Sequence, residues 1–164
     1  MPTPINISES FQFFCKPWDE LSRDELHALI RLRIDVFVVE QNCPYPDLDG
    51  KDLRSHHVYA IKSGDDIASG TSASATIRIC APGVSYDDPS LGRVVTSTTC
   101  RGQGLGISIM NLAIAECNKL YPGHGIRISA QCYLEKFYSD LGFVSTGETY
   151  LEDDIPHIQM FRAI

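Results

Sequence analysis

"RVVTSTTCRGQGLGISIM", residues 93–110, runs from a β-branched segment through three alternating glycines into a stretch of helically spaced apolar residues. Glycine has the largest backbone entropy to lose, and inside a helix it costs about 1 kcal/mol against alanine. Gly102, Gly104 and Gly106 therefore weaken a helix start, so bare backbone must serve some other purpose there. A strand that turns through glycine into a helix exposes unpaired N–H groups at the positive end of the helix dipole. With no side chains in the way, a phosphate or pyrophosphate can approach that main chain closely. Arg101 adds a permanent positive charge with a bidentate fork.

Outward from this junction the chain alternates strand and helix signals. Upstream, "FQFFCK" (11–16) reads as a strand, and Ser22 to Glu25 form a capping box that opens a helix. Leu26, Leu29 and Ile30, and later Val36 and Phe37, supply the buried side of that helix. Residues 40–53, "EQNCPYPDLDGKDL", have loop composition and a length suited to a binding segment. "HHVYAIK" (56–62), "SASATIRIC" (72–80) and "LGRVVTST" (91–98) are strands, the first two joined through a turn around Gly64-Asp65-Asp66. Downstream, Ile107, Met110, Ile114, Cys117 and Tyr121 trace one helical face, and Pro122-Gly123 end it. "GIRISA" (125–130) is a strand and "YLEKFYSDLGF" (133–143) a short helix. "FVSTGETYL" and "PHIQMFR" close the chain as two strands. The order β-α-β-β-β-α-β-α-β-β predicts one mixed α/β (α+β) domain over residues 1–164, its central sheet mostly antiparallel and flanked by helices.

Composition narrows the function. A net charge of −7 argues against a general nucleic-acid binder. No window approaches a membrane span, and the N-terminus lacks the basic and apolar regions of a secretory leader, so the expected setting is cytoplasmic. The six cysteines are scattered, with neither Cys-x-x-Cys nor zinc-ligand spacing, which predicts free thiols and no metal. "PDLDGKD" and "YLEDD" concentrate acidic residues and read as solvated loops. Where such residues line a cleft, they favour a cationic partner.

Three phosphate motifs compete for the glycine loop. A P-loop requires Gly-Lys-Ser/Thr, but Leu105-Gly106 follows Gly104. A dinucleotide fingerprint requires Gly-x-Gly-x-x-Gly, and the final spacing here differs. Arg101-Gly102-Gln103-Gly104-Leu105-Gly106 meets the third pattern, Arg/Gln-x-x-Gly-x-Gly/Ala, which resembles the acyl-CoA pyrophosphate loop of GNAT N-acyltransferases. A second signature, Tyr138-Ser139-Asp140-Leu141-Gly142-Phe143, is similar to the strand–helix Tyr-x-x-x-Gly-Phe of that family. "RIDVFVVEQNCPYPDLDGKDLRSHH" and "ETYLEDDIPHIQM" further resemble the ElaA-type branch, and together the likeness covers roughly residues 11–163.

The resemblance implies acetyl-CoA as cosubstrate. Its pyrophosphate would lie on Arg101, Gly102, Gln103, Gly104, Leu105 and Gly106. Its pantetheine arm would lie against the main chain of Val94, Val95 and Thr96, where the strand splays from the one near Ser129-Ala130. Many family members carry asparagine seven residues before the helix tyrosine; here Gln131 keeps the amide on a longer arm. The implied reaction is direct attack of a primary amine on the thioester, with Tyr138 as general acid toward the departing thiolate. Alone, a Phe-Tyr pair on a short helix is core filler. Glu40 and His157 are the first choices for the general base, with Glu152 and His57 also considered. The alternative is a non-catalytic acyl-CoA-binding module, which would need the loop but neither Tyr138 nor a base. The identity of the acceptor and the choice between monomer and homodimer stay open.

Overall fold

The computed structural model describes residues 7–164, with side chains from Glu9 onward. Residues 1–6, part of the stretch lacking a leader pattern, lie outside the described residues. The strands are β1 (Phe11–Pro17), β2 (Ser55–Lys62), β3 (Ala75–Cys80), β4 (Ser90–Thr96), β5 (Ile126–Gln131), β6 (Val144–Glu152) and β7 (Ile155–Arg162). They form a seven-stranded sheet in the order β1-β2-β3-β4-β5-β7-β6. Every neighbouring pair is antiparallel except β4 with β5. The helices are a short turn α1 (Ile7–Ser10), then α2 (Arg23–Arg33), α3 (Leu105–Leu120) and α4 (Glu135–Asp140).

Period-two alternation distributes the core over both faces of the sheet. Val58 and Ala60 of β2 pack with α3 and α4, whereas Tyr59 and Ile61 point the other way and pack with α2. The expected capping box closes α2: the Ser22 hydroxyl accepts from Glu25 N, and the Glu25 carboxylate accepts from Ser22 N. Glu25 also accepts from Lys16 and Tyr59. Burial opposes its charge, but these hydrogen bonds lower its pKa to about 2. One expectation fails. Ile107 is 53% exposed, while Leu105, Ile109, Met110, Ala113, Ile114 and Cys117 form the buried stripe of α3. A residue two positions after Leu105 lies about 200° around the helix, which turns Ile107 to solvent.

Two irregularities shape the centre of the molecule. Gly92 pairs with Arg78 and Val95 with Thr76, so Arg93 and Val94 together oppose the single residue Ile77. This is a β-bulge, and Arg93 takes φ +51° within it. A bulge bends its strand. Before the bend, β4 pairs with β5 through Ser90 and Arg127; beyond it no pairing follows. The second irregularity extends α2 as a wide π-helical segment, Ile34–Glu40. It buries Val36 in the α2-side core and ends at Glu40 and Gln41.

Candidate active site

Where β4 and β5 diverge, a cleft of about 830 Å³ opens through the sheet. Val94, Val95 and Thr96 line it on β4, and Ile128, Ser129 and Gln131 on β5. Gly106 at the start of α3 and Phe137 and Tyr138 of α4 approach from one face. Glu40, Gln41 and the following loop approach from the other, and Glu152 and His157 from the last hairpin.

The glycine loop sits at the rim. Gly104 is the N-cap of α3 with φ +80°, a conformation glycine adopts at little steric cost. Gly102, Gln103, Gly104 and Leu105 do not line the cleft. Leu105 is buried in the core, and the Gln103 side-chain amide donates to Thr99 O at 3.2 Å. Gly106 does line it, and an added Cβ would meet Phe137 and Thr96 only at ordinary contact distances of 3.8 and 3.9 Å. Arg101 is half exposed. Its guanidinium grips both oxygens of Glu40 at 2.7 and 2.9 Å and reaches Thr96 O at 3.3 Å.

Tyr138 is 5% exposed and edge-on to Phe137 and Phe143. Burial, reinforced by Tyr133, pushes its phenol pKa well above the ordinary value and keeps the proton in place. His157 is buried at the cleft wall and stacked on Tyr150. Its Nδ1 lies 2.7 Å from Ile155 O. A carbonyl only accepts, so Nδ1 carries a proton, and in the neutral ring Nε2 keeps its lone pair. The Gln131 amide donates to Gln41 Oε1 at 3.3 Å, bridging β5 to the end of the π-helical segment. The bidentate Arg101 contact holds the Glu40 carboxyl below its usual pKa. His57, by contrast, is buried with Nε2 at Asp52 O, and it lies away from the cleft.

The acidic loop is not a solvated face. Asp47 and Asp52 are buried. Arg33 contacts both at 2.8 Å, Arg78 holds both Asp49 oxygens at 2.7 and 3.0 Å, and Arg93 reaches Asp47 and Asp49. Three arginines thus meet three aspartates. Burial opposes the Asp49 charge, but Arg78 lowers its pKa to about 2. Tyr45 completes the wall by donating to Asp47 and lying beneath the Arg93 guanidinium. Sequence reading passed over these arginines. The available signal was Arg78 inside the apolar strand "ATIRIC", since a charge there needs a partner.

Residues 62–163 match the family model described as "Acetyltransferase (GNAT) domain". Protein ElaA of Escherichia coli (strain K12) is 37% identical over 147 residues, covering 88% of this chain and 92% of that protein. The chain belongs to the GNAT acetyltransferase family. A crystal structure of an acyl-CoA N-acyltransferase from Pseudomonas aeruginosa matches with TM-score 0.84 and 41% identity, over 94% of this chain and all of that one. The crystal structure of E. coli ElaA matches with TM-score 0.84 and 35% identity, over 93% and 99% of the two chains. The GNAT assignment makes this an acyl-CoA-dependent transferase that passes an acyl group to an acceptor. Among the described residues, no group of His, Cys, Asp or Glu is placed to hold a metal ion, and no helix is long and apolar enough to cross a membrane.

Proposed function

We propose that this GNAT protein is an N-acetyltransferase that moves the acetyl group of acetyl-CoA directly to a primary amine of a small molecule or protein. The observation that carries this reading is a buried, protonated Tyr138 in a cleft that begins at the glycine-loop helix and runs past β4 main chain unpaired on its β5 side. The pyrophosphate would rest on the N–H groups of residues 102–106 with Arg101. The pantetheine amides would take main-chain positions of Val94, Val95 and Thr96 that face β5 without pairing to it beyond the bulge, Thr96 O once Arg101 leaves it. The Gln131 amide would meet the same arm once it leaves Gln41.

A lysine-like amine has a pKa of about 10.4 in water and must lose a proton before it attacks. His157 Nε2 takes that proton. The nitrogen lone pair then bonds to the thioester carbonyl carbon, the C–S bond breaks, and the thiolate receives the Tyr138 phenolic proton. The second proton of the attacking nitrogen passes to the Tyr138 phenolate, leaving a neutral amide and a restored phenol. Donors along the cleft stabilise the transient oxyanion. Glu40 is the weaker base while Arg101 holds it, because a carboxylate kept below its usual pKa resists protonation. The six free cysteines fit a reducing cytoplasmic setting.

The test is calorimetric titration with acetyl-CoA of wild type, Arg101→Ala and Gly104→Val, followed by thiol release with a panel of primary amines. Saturable binding that weakens in folded variants, with amine-dependent thiol release, supports the reading. Binding without amine-dependent release would leave a non-catalytic acyl-CoA-binding module. Absence of binding by folded wild type would remove both.

A further inference from the structure

Four carboxylates line the cleft: Glu40, Asp49, Glu152 and Asp153. Arg101 occupies Glu40, and Arg78 and Arg93 occupy Asp49. Glu152 and Asp153 meet no cation among the described residues, and of the two only Glu152 has its carboxylate fixed by a neighbour. Ser129 on β5 donates from Oγ to Glu152 Oε2 at 3.0 Å. The Ser129 hydroxyl has one proton, and an ionised carboxylate can only accept it. Tyr150 must therefore be the donor in its short contact with Ser129 Oγ. Tyr150 in turn stacks on His157. The chain Tyr150–Ser129–Glu152 thus sets a charged oxygen pair on the wall that also carries His157 Nε2.

The surrounding groups leave that charge uncompensated. Arg127, two residues before Ser129 on the same face of β5, is held by Asp88 at 3.0 Å and lies over the Phe161 ring. Tyr86 is a neutral phenol whose pKa is raised by burial and then by Tyr150 and Glu152. Asp153 adds a second negative charge at the turn, and Lys51, on the loop wall of the cleft, forms no ion pair with Glu152. A charge held by hydrogen bonds but lacking a counter-ion is prepared for a cation from outside the chain.

We infer that Glu152 is a specificity-determining residue that docks a cationic acceptor, drawing the amine in as its ammonium beside His157, with Ser129 and Tyr150 as positioning residues. This rests on the acyl-transfer reading, which supplies the amine and the direction from which it comes. It also restricts the acceptor class: amines charged at neutral pH are favoured over neutral isosteres.

The experiment is a nuclear magnetic resonance titration of the protein saturated with CoA, using benzylammonium and benzyl alcohol as near-isosteric probes. Wild type is expected to bind the ammonium about tenfold more tightly than the alcohol. Glu152→Gln should abolish the preference. Ser129→Ala should weaken it and Ser129→Thr should restore it, a rescue that a purely structural role would not produce. Glu152 is exposed on the last hairpin, so its substitution leaves the core intact. Equal affinities for the two probes, or a preference that survives Glu152→Gln, would overturn the inference. Because the readout is binding, it separates from thiol release. A preference lost in Glu152→Gln without amine-dependent thiol release would sink the transferase reading and leave the docking carboxylate standing.

Discussion

Arg101 of the glycine loop and Glu40 at the end of the π-helical segment, 61 residues apart in sequence, close a bidentate ion pair at the rim of the cleft. An incoming pyrophosphate wants the same guanidinium fork. The two anions would therefore compete, and release of Glu40 is predicted to be coupled to cosubstrate binding. Glu40→Gln should tighten acetyl-CoA binding by up to about fivefold, the range expected for a half-exposed pair. Arg101→Ala should weaken it by about tenfold or more. In a double-mutant cycle, the Glu40→Gln gain should vanish when Arg101 is absent. Equal gains in both backgrounds would show that the pair does not gate the loop.

Tyr138 is predicted to act on the leaving group rather than on binding. Tyr138→Phe keeps the ring and its edge contacts with Phe137 and Phe143. Steady-state kinetics should show kcat falling roughly 100-fold, with the KM for acetyl-CoA nearly unchanged. A KM effect with kcat preserved would reassign the phenol to cofactor packing.

His157 is predicted to matter only when the nucleophile arrives protonated. His157→Gln should lower kcat roughly 100-fold with alkylamines. With a weakly basic amine such as O-methylhydroxylamine, largely uncharged at neutral assay pH, the loss should nearly disappear. The same loss for both amines would point to a structural role.

The arginine–aspartate network predicts a stability signature. Asp52→Asn removes a buried charge facing Arg33 and Arg78 and should cost about 3–5 kcal/mol in urea unfolding, because three clustered arginines are then matched by two aspartates and one buried cation is left unbalanced. The acid dependence follows from depressed carboxyl pKa values. Asp49 and Glu25 are lowered to about 2, and Asp52 is lowered by Arg33 and Arg78 despite burial. A depressed folded pKa stabilises above the unfolded value and loses that contribution as pH falls through the folded one. Stability should hold above about pH 5 and drop between about pH 4 and pH 2. A flat profile across that window would contradict the network.

Gly104 and Gly106 should separate backbone strain from ligand approach. Gly104→Ala must hold alanine at φ +80° and should lower stability by about 1–2 kcal/mol. Gly106→Ala places its Cβ in ordinary contact and adds helix propensity, so stability should rise by up to about 1 kcal/mol. Weaker acetyl-CoA binding in this second variant, without lost stability, would show that the cosubstrate needs the space.

The order of elements was legible because each carries a local signal: the Ser22–Glu25 box, the Pro122-Gly123 stop, and the alternation in β2. The glycine turn into α3 and the position of Tyr138 on a short helix were legible through two spaced motifs. The bulge at Arg93 was not, since it arises from the pairing of β4 with β3 and arginine has no propensity for positive φ. Nor was the burial of Asp47 and Asp52, because a Pro-, Asp- and Gly-rich segment looks solvated until its arginine partners, 14 or more residues away, fold against it. Ile107 was misplaced because three- and four-residue spacings fit more than one face of a helix.

The charge-matched Arg33–Asp47–Asp52–Arg78–Asp49–Arg93 cluster also bears on how this protein can diversify. Any single charge-removing change among those six leaves an unmatched ion, so that wall of the cleft should tolerate few substitutions. The facing hairpin, β6 with β7, exposes Glu148, Leu151, Glu152 and Asp153, and its members can be exchanged one at a time without disturbing a counter-ion. New acceptor preferences should arise by drift along that hairpin, against a fixed opposite jaw.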